Sequence, residues 1–206
     1  MDKRTSYSEI FKKYVPIEFA SMLADLLIGT NVKFKVVRGR KTKLGDFRYG
    51  SDLPKPIITV NGDLNPYAFL ITALHEFAHY HTYLNYNNRV QPHGEEWKYS
   101  FQILMVPFIR PEIFPSHLLP LLARHFKNPT ASSDTDATLS LALKQFDEQN
   151  DKNYIFEIPY GSVFRISNGK IFKKIAQRVK RFECVEINSG RTYLFNPNAE
   201  VELLNS

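Results

Sequence analysis

The sequence predicts an α+β protein: a small sheet packed on one long apolar helix, followed by a separate small antiparallel β module. Three observations predict it. Up to residue 126 the apolar residues alternate between helical and strand spacing. Beyond 151 they keep to short strand-like runs parted by turn signals, and between these regions lies a polar stretch without apolar periodicity. The expected organisation is therefore a first domain over 1–126, a connection with one short helix over 127–150, and a C-terminal β module over 151–206.

Over 8–28 the apolar series Ile10, Phe11, Tyr14, Phe19, Met22, Leu23, Leu26 and Leu27 is helical, interrupted at Pro16 and stopped at Gly29. Val32, Phe34 and Val36 alternate with Lys33 and Lys35, which predicts a half-buried strand; further strands are expected around Phe47 and Tyr49 and over 56–60. Asn65 before Pro66 is a helix-start signal, and Phe69, Leu70, Ala73, Leu74, Phe77 and Ala78 follow at helical spacing. A loop over 91–94 leads to a helix over 95–105, whose Glu95 and Glu96 suit the positive end of its dipole. Residues 127–138 read as a linker and 139–146 as a short helix. Strands are expected over 154–158, 162–166, 170–175, 182–187 and 192–195, with turns at Asn168-Gly169 and Ser189-Gly190.

Composition narrows the class. With 43% hydrophobic and 14% aromatic residues in 206, the chain can build a core, which excludes wholesale disorder. The single cysteine, Cys184, permits no internal disulfide and fits a reducing compartment. No apolar run is long enough for a membrane span, so a cytoplasmic protein without a membrane partner is expected, its oligomeric state left open. The net charge of +6 favours polyanionic partners, and the basic stretches 33–43 and 165–181 are the candidate nucleic-acid contacts.

His75-Glu76-Phe77-Ala78-His79 is an HExxH pattern. On a helix the spacing puts both imidazoles on one face, able to share one zinc ion, with the Glu76 carboxylate beside it as the catalytic base. A hydrolytic site needs a third protein ligand, and His93 is the candidate, set between Pro92 and Gly94 in a loop that allows a tight approach. His81 points away from His79 around the helix, and His117 and His125 read as packing residues. Glu95 and Glu96 are open candidates for hydrogen-bonding a ligand imidazole. Tyr80, Tyr83 and Tyr86 lie nearby, with nothing to select one as an oxyanion stabiliser.

With His93-Gly94-Glu95-Glu96-Trp97 after the motif helix, and 40–49 followed by a strand before it, roughly residues 5–125 resemble the SprT-like metallopeptidases. The resemblance implies a zincin-like α+β domain, His93 as third ligand, and a zinc endopeptidase of the kind that digests proteins crosslinked to DNA. Such proteins often carry a C-terminal zinc ribbon with two cysteine pairs; this chain has only Cys184, so the module is expected to keep a ribbon-like shape without metal. The competing reading is a nucleic-acid-binding protein with a structural or vestigial zinc site. Glu76 separates the two, because a purely structural site has no need of a carboxylate at an open position. A zinc hydrolase acting on a non-protein amide would share the whole site.

Overall fold

A computed structural model describes residues 2–40, 43–129, 137–147, 152–179, 181–197 and 199–204. The chain divides into two compact units, Met1–Asp147 and Glu148–Ser206. Among the described residues six α-helices and two sheets give the α+β class expected.

In the first unit, α1 (Lys3–Phe11) is capped by Asp2, whose side chain accepts from the Thr5 N–H at 2.9 Å. Helix α2 (Ile17–Ile28) starts after Pro16 and buries Phe19, Ala20, Leu23, Ala24 and Leu27, a stripe at i, i+3 and i+4 spacing. The sheet has strand order β1-β3-β2, with β1 (Lys33–Val37) parallel to the central β3 (Ile57–Asn61) and β2 (Gly45–Arg48) antiparallel to it. On the edge strand β1, Lys33 and Lys35 face out while Phe34 and Val36 pack on the core.

The 21-residue helix α3 (Pro66–Tyr86) lies against this sheet. Its start follows the sequence signal: Asn65 Oδ1 accepts from the Tyr67 and Ala68 N–H groups at 3.1 and 2.9 Å, and Pro66 occupies the first turn. Helices α4 (Glu95–Met105), α5 (Leu119–Lys127) and α6 (Ala137–Lys144) complete the unit, with a 3₁₀ turn over Val106–Phe108. From sequence this domain is expected to end at 126, with the short helix in the connection. The compact unit instead runs to Asp147, because Leu139, Ala142 and Leu143 bury in its core and Asn65 Nδ2 donates to the Leu143 carbonyl at 3.0 Å. Most of the expected linker, 130–136, lies outside the described residues.

The second unit is a six-stranded antiparallel sheet, order β4-β9-β5-β6-β7-β8. Its strands are β4 (Lys152–Tyr154), β5 (Val163–Arg165), β6 (Ile171–Arg178), β7 (Arg181–Glu186), β8 (Thr192–Phe195) and β9 (Glu200–Leu203). Phe164, Phe172, Phe182, Cys184, Val201, Ile155 and Ile158 form its core. Sequence reasoning missed β9, which pairs with both β4 and β5. Among the described residues no helix is long and apolar enough to cross a membrane.

Candidate metal centre

Helix α3 carries His75, Glu76 and His79 on a stretch anchored by buried Phe69, Leu70, Ala73, Leu74, Phe77 and Ala78, so the motif sits on a rigid support. The chain leaves α3 at Asn87, whose φ of 51° is left-handed, and returns through a turn in which the Gly94 N–H donates to the Gln91 carbonyl at 2.9 Å. His93 itself has φ 59°. That conformation is costly for a residue with a Cβ, and here it turns the imidazole back toward the helix.

The three Nε2 atoms converge. His75 and His79 are separated by 3.1 Å, His79 and His93 by 3.0 Å, and His93 and His75 by 3.2 Å. A neutral ring nitrogen is either a donor or an acceptor, so three mutual contacts cannot all be hydrogen bonds, and at least one pair must repel. A cation among them removes the conflict. Nitrogens bound to a tetrahedral ion at about 2.0–2.1 Å stand roughly 3.3 Å apart, within a few tenths of the spacing here.

Protonation is disfavoured at all three rings. Burial, followed by the neighbouring His79, His93 and His125, holds His75 well below its ordinary value. Burial and His93 bring His79 down to about 3, and burial lowers His93. A neutral ring with its proton on Nδ1 offers the Nε2 lone pair to a metal. Trp97, fully buried, backs all three rings at centroid distances of 4.7, 5.4 and 4.6 Å from His75, His79 and His93.

Glu76 points from the same helix toward the start of β2 and is 6% exposed. Burial, with Asp46 adding to it, pushes its carboxyl up to about 8, against the opposing pull of Arg40, Lys43 and the Phe47 backbone N–H. The triad and Glu76 share one cavity of about 710 Å³, walled by β2, by Tyr49 and Tyr83, and by the loop over 87–93. A half-buried nitrogen triad beside a buried carboxylate, open on one side to a cavity, suits one divalent ion and hydrolytic chemistry.

The remaining candidates are placed elsewhere. His81 is half-buried beside Tyr80, and His117 stacks near Phe146 at 6.1 Å. His125 is buried and lines the same cavity, although its ring lies outside the converging nitrogens. Glu95 is exposed and pairs with Lys98 at 2.8 Å. The Tyr80 hydroxyl accepts from the Asn31 N–H at 3.3 Å, Tyr83 stacks on Tyr49 at 4.2 Å, and Tyr86 is exposed. Sequence reasoning did not single out Gly45, Phe47 or Tyr49 as parts of the site. A glycine opening a strand is a signal of close backbone approach, and Gly45 was the available clue.

In comparison with known proteins, residues 31–113 match the model of the SprT-like family, a segment that contains β1 to β3, the motif helix and His93. No curated protein and no solved structure matches the chain.

Proposed function

From the SprT-like segment as premise, we propose that this chain is a zinc-dependent metalloendopeptidase acting on protein substrates, with His75, His79 and His93 holding one zinc ion. The single observation that carries the reading is the mutual approach of three neutral imidazole nitrogens beside a buried carboxylate in one open cavity. Zinc in this place supplies Lewis acidity, acidifying water and polarising a carbonyl oxygen. With the positive charge of a bound metal beside it favouring its ionised form, the Glu76 carboxylate would take the proton from the attacking water and return it to the departing amide nitrogen. Trp97 and the α3 core hold the imidazoles in place, so little reorganisation is needed during reaction. β2 is an edge strand whose Gly45, Asp46 and Phe47 line the cavity, so an extended peptide substrate would pair along it.

Association with DNA belongs to the same proposal. Lys33 and Lys35 project from β1, and Lys173 and Arg181 are exposed on β6 and β7. Other bases of the second stretch are engaged within the unit: Arg165 pairs with Glu202, Lys170 with Glu186 and Arg178 with Glu183, while Lys174 is buried. Lys41 and Lys180 lie outside the described residues.

The test compares zinc content and cleavage of a disordered protein, with and without single-stranded DNA, for the parent, Glu76→Gln and His93→Ala. Glu76→Gln should keep zinc and lose cleavage by roughly 10²-fold or more. His93→Ala should lose both. Full zinc stoichiometry in His93→Ala would remove it as a ligand, and DNA stimulation absent at low salt would remove the nucleic-acid part, since backbone contacts are strongest there.

A further inference from the structure

Gly45 opens β2 without needing a glycine's backbone freedom, because its φ is not in the left-handed region. What it needs is space. A Cβ built there would stand 2.4 Å from Glu76 Oε1, 2.8 Å from Glu76 Cγ and 2.8 Å from Thr72 Cγ2, well inside the 3.5–4.0 Å at which carbon contacts are favourable.

The surroundings determine what would yield. Gly45 is in register with Val60 of the central strand β3, so β2 cannot retreat from α3 without breaking its sheet pairing. Thr72 and Glu76 are both buried on α3, a helix locked by the core on its other faces. The parts that can turn aside are the Thr72 methyl and the end of the Glu76 side chain, and only the second bears the chemistry.

We infer that Gly45 is a positioning residue for Glu76: its missing side chain is the seat that holds the carboxylate beside the histidine triad. The inference rests on Glu76 as the proton acceptor of the proposed hydrolysis. It follows that an alanine at 45 leaves the metal ligands in place and displaces the carboxylate.

Two measurements test it. For the zinc-loaded protein, Gly45→Ala should keep one zinc per chain and a KM within about twofold, while kcat falls roughly 10²-fold, the cost of about an ångström of misplacement at a reacting group. In a Glu76→Gln background the same substitution should lower kcat no further, since the two act on one group. Independently of activity, thermal unfolding of the metal-free protein should show Gly45→Ala lowering Tm in the parent and lowering it less in a Glu76→Ala background, where only Thr72 still obstructs the methyl. An equal Tm loss in both backgrounds, or a raised KM with kcat kept, overturns the seat. If the parent cleaves nothing, the thermal cycle still decides; if parent and Gly45→Ala cleave alike, the seat is wrong and the peptidase reading stands.

Discussion

Glu76 in the first unit and Glu186 in the second are each 6% exposed, yet they are driven in opposite directions. Glu76 is deep, and burial pushes its carboxyl up to about 8. Glu186 is covered by its own partners near the surface. Ser189 Oγ donates to it at 2.6 Å, Lys170 pairs with it at 2.9 Å and Tyr193 Oη donates at 3.2 Å, the Ser189 bond leading the forces that hold it below the usual carboxylate range. The same contrast separates the side-chain nitrogens of the two units. Lys174 Nζ donates to the Ile155 and Ile158 carbonyls at 2.9 and 2.7 Å and lies 3.9 Å from the centre of the Phe182 ring, whereas the three imidazoles of the first unit face one another. A polar group fully satisfied by its neighbours reads as structural; one whose close neighbours cannot all satisfy it is a candidate for a bound ligand.

The largest expected effect breaks this symmetry with metal. Trp97 and Cys184 are the sole tryptophan and sole cysteine, one in each unit, so fluorescence reports the first and thiol labelling on unfolding reports the second. Zinc at a free concentration a thousandfold above its Kd should stabilise the first unit by about 4.1 kcal/mol, a Tm rise on the order of 10 °C by fluorescence. The Cys184 transition should not move. His79→Ala should abolish the zinc response, and a zinc shift of the labelling transition would show that the comparison between the units is wrong.

Proton linkage is next in size, and it has two arms in the metal-free protein. The imidazoles titrate near 6.5 when unfolded, but in the fold His79 stays neutral to about 3 and His75 and His93 are also lowered. The unfolded chain therefore binds more protons in that window, and stability falls as pH drops from 6.5 toward 3. Glu76, ordinarily at 4.5, keeps its proton in the fold up to about 8, so the folded state binds more protons and stability falls as pH rises from 4.5 to 8. Glu76→Gln should erase the second arm, raising metal-free stability at pH 7 by up to roughly 3 kcal/mol in chemical denaturation. Glu186→Gln should act with the opposite sign, since a depressed carboxyl contributes stability above its unfolded value and loses it below. Equal signs for the two variants would erase the contrast.

What could be read from the sequence was whatever is local in the chain. Asn65 and Pro66 announce α3 because a cap is satisfied within three residues, and the spacing of His75 and His79 is dictated by helix geometry alone. His93 was reachable from its Pro-His-Gly context and from the family resemblance, but its left-handed backbone was not. Strand β9 was missed because, of its residues, Val201 alone is buried and its partners are far away in sequence. The fit of Gly45 against Glu76 was invisible for the same reason: two elements meet there whose relation only the packed sheet and helix define.

The smallest effect is expected from Lys174→Met, the change that tests whether the second unit is self-sufficient. Methionine fills similar volume and keeps the apolar contact with Phe182, so little is lost in packing. What it removes is the ammonium that satisfies the Ile155 and Ile158 carbonyls, both on the segment between β4 and β5. Leaving buried acceptors without a donor costs about 1–3 kcal/mol, so the Cys184 labelling transition should move to lower temperature by that equivalent. Zinc content and the zinc-induced shift of Trp97 fluorescence should stay as in the parent, because the triad draws none of its ligands from this unit. A variant that labels at the parental temperature would mean that the carbonyls find other donors. One that lost zinc as well would mean that the second unit supports the metal centre after all, and that the two regions differ in chemistry without being independent.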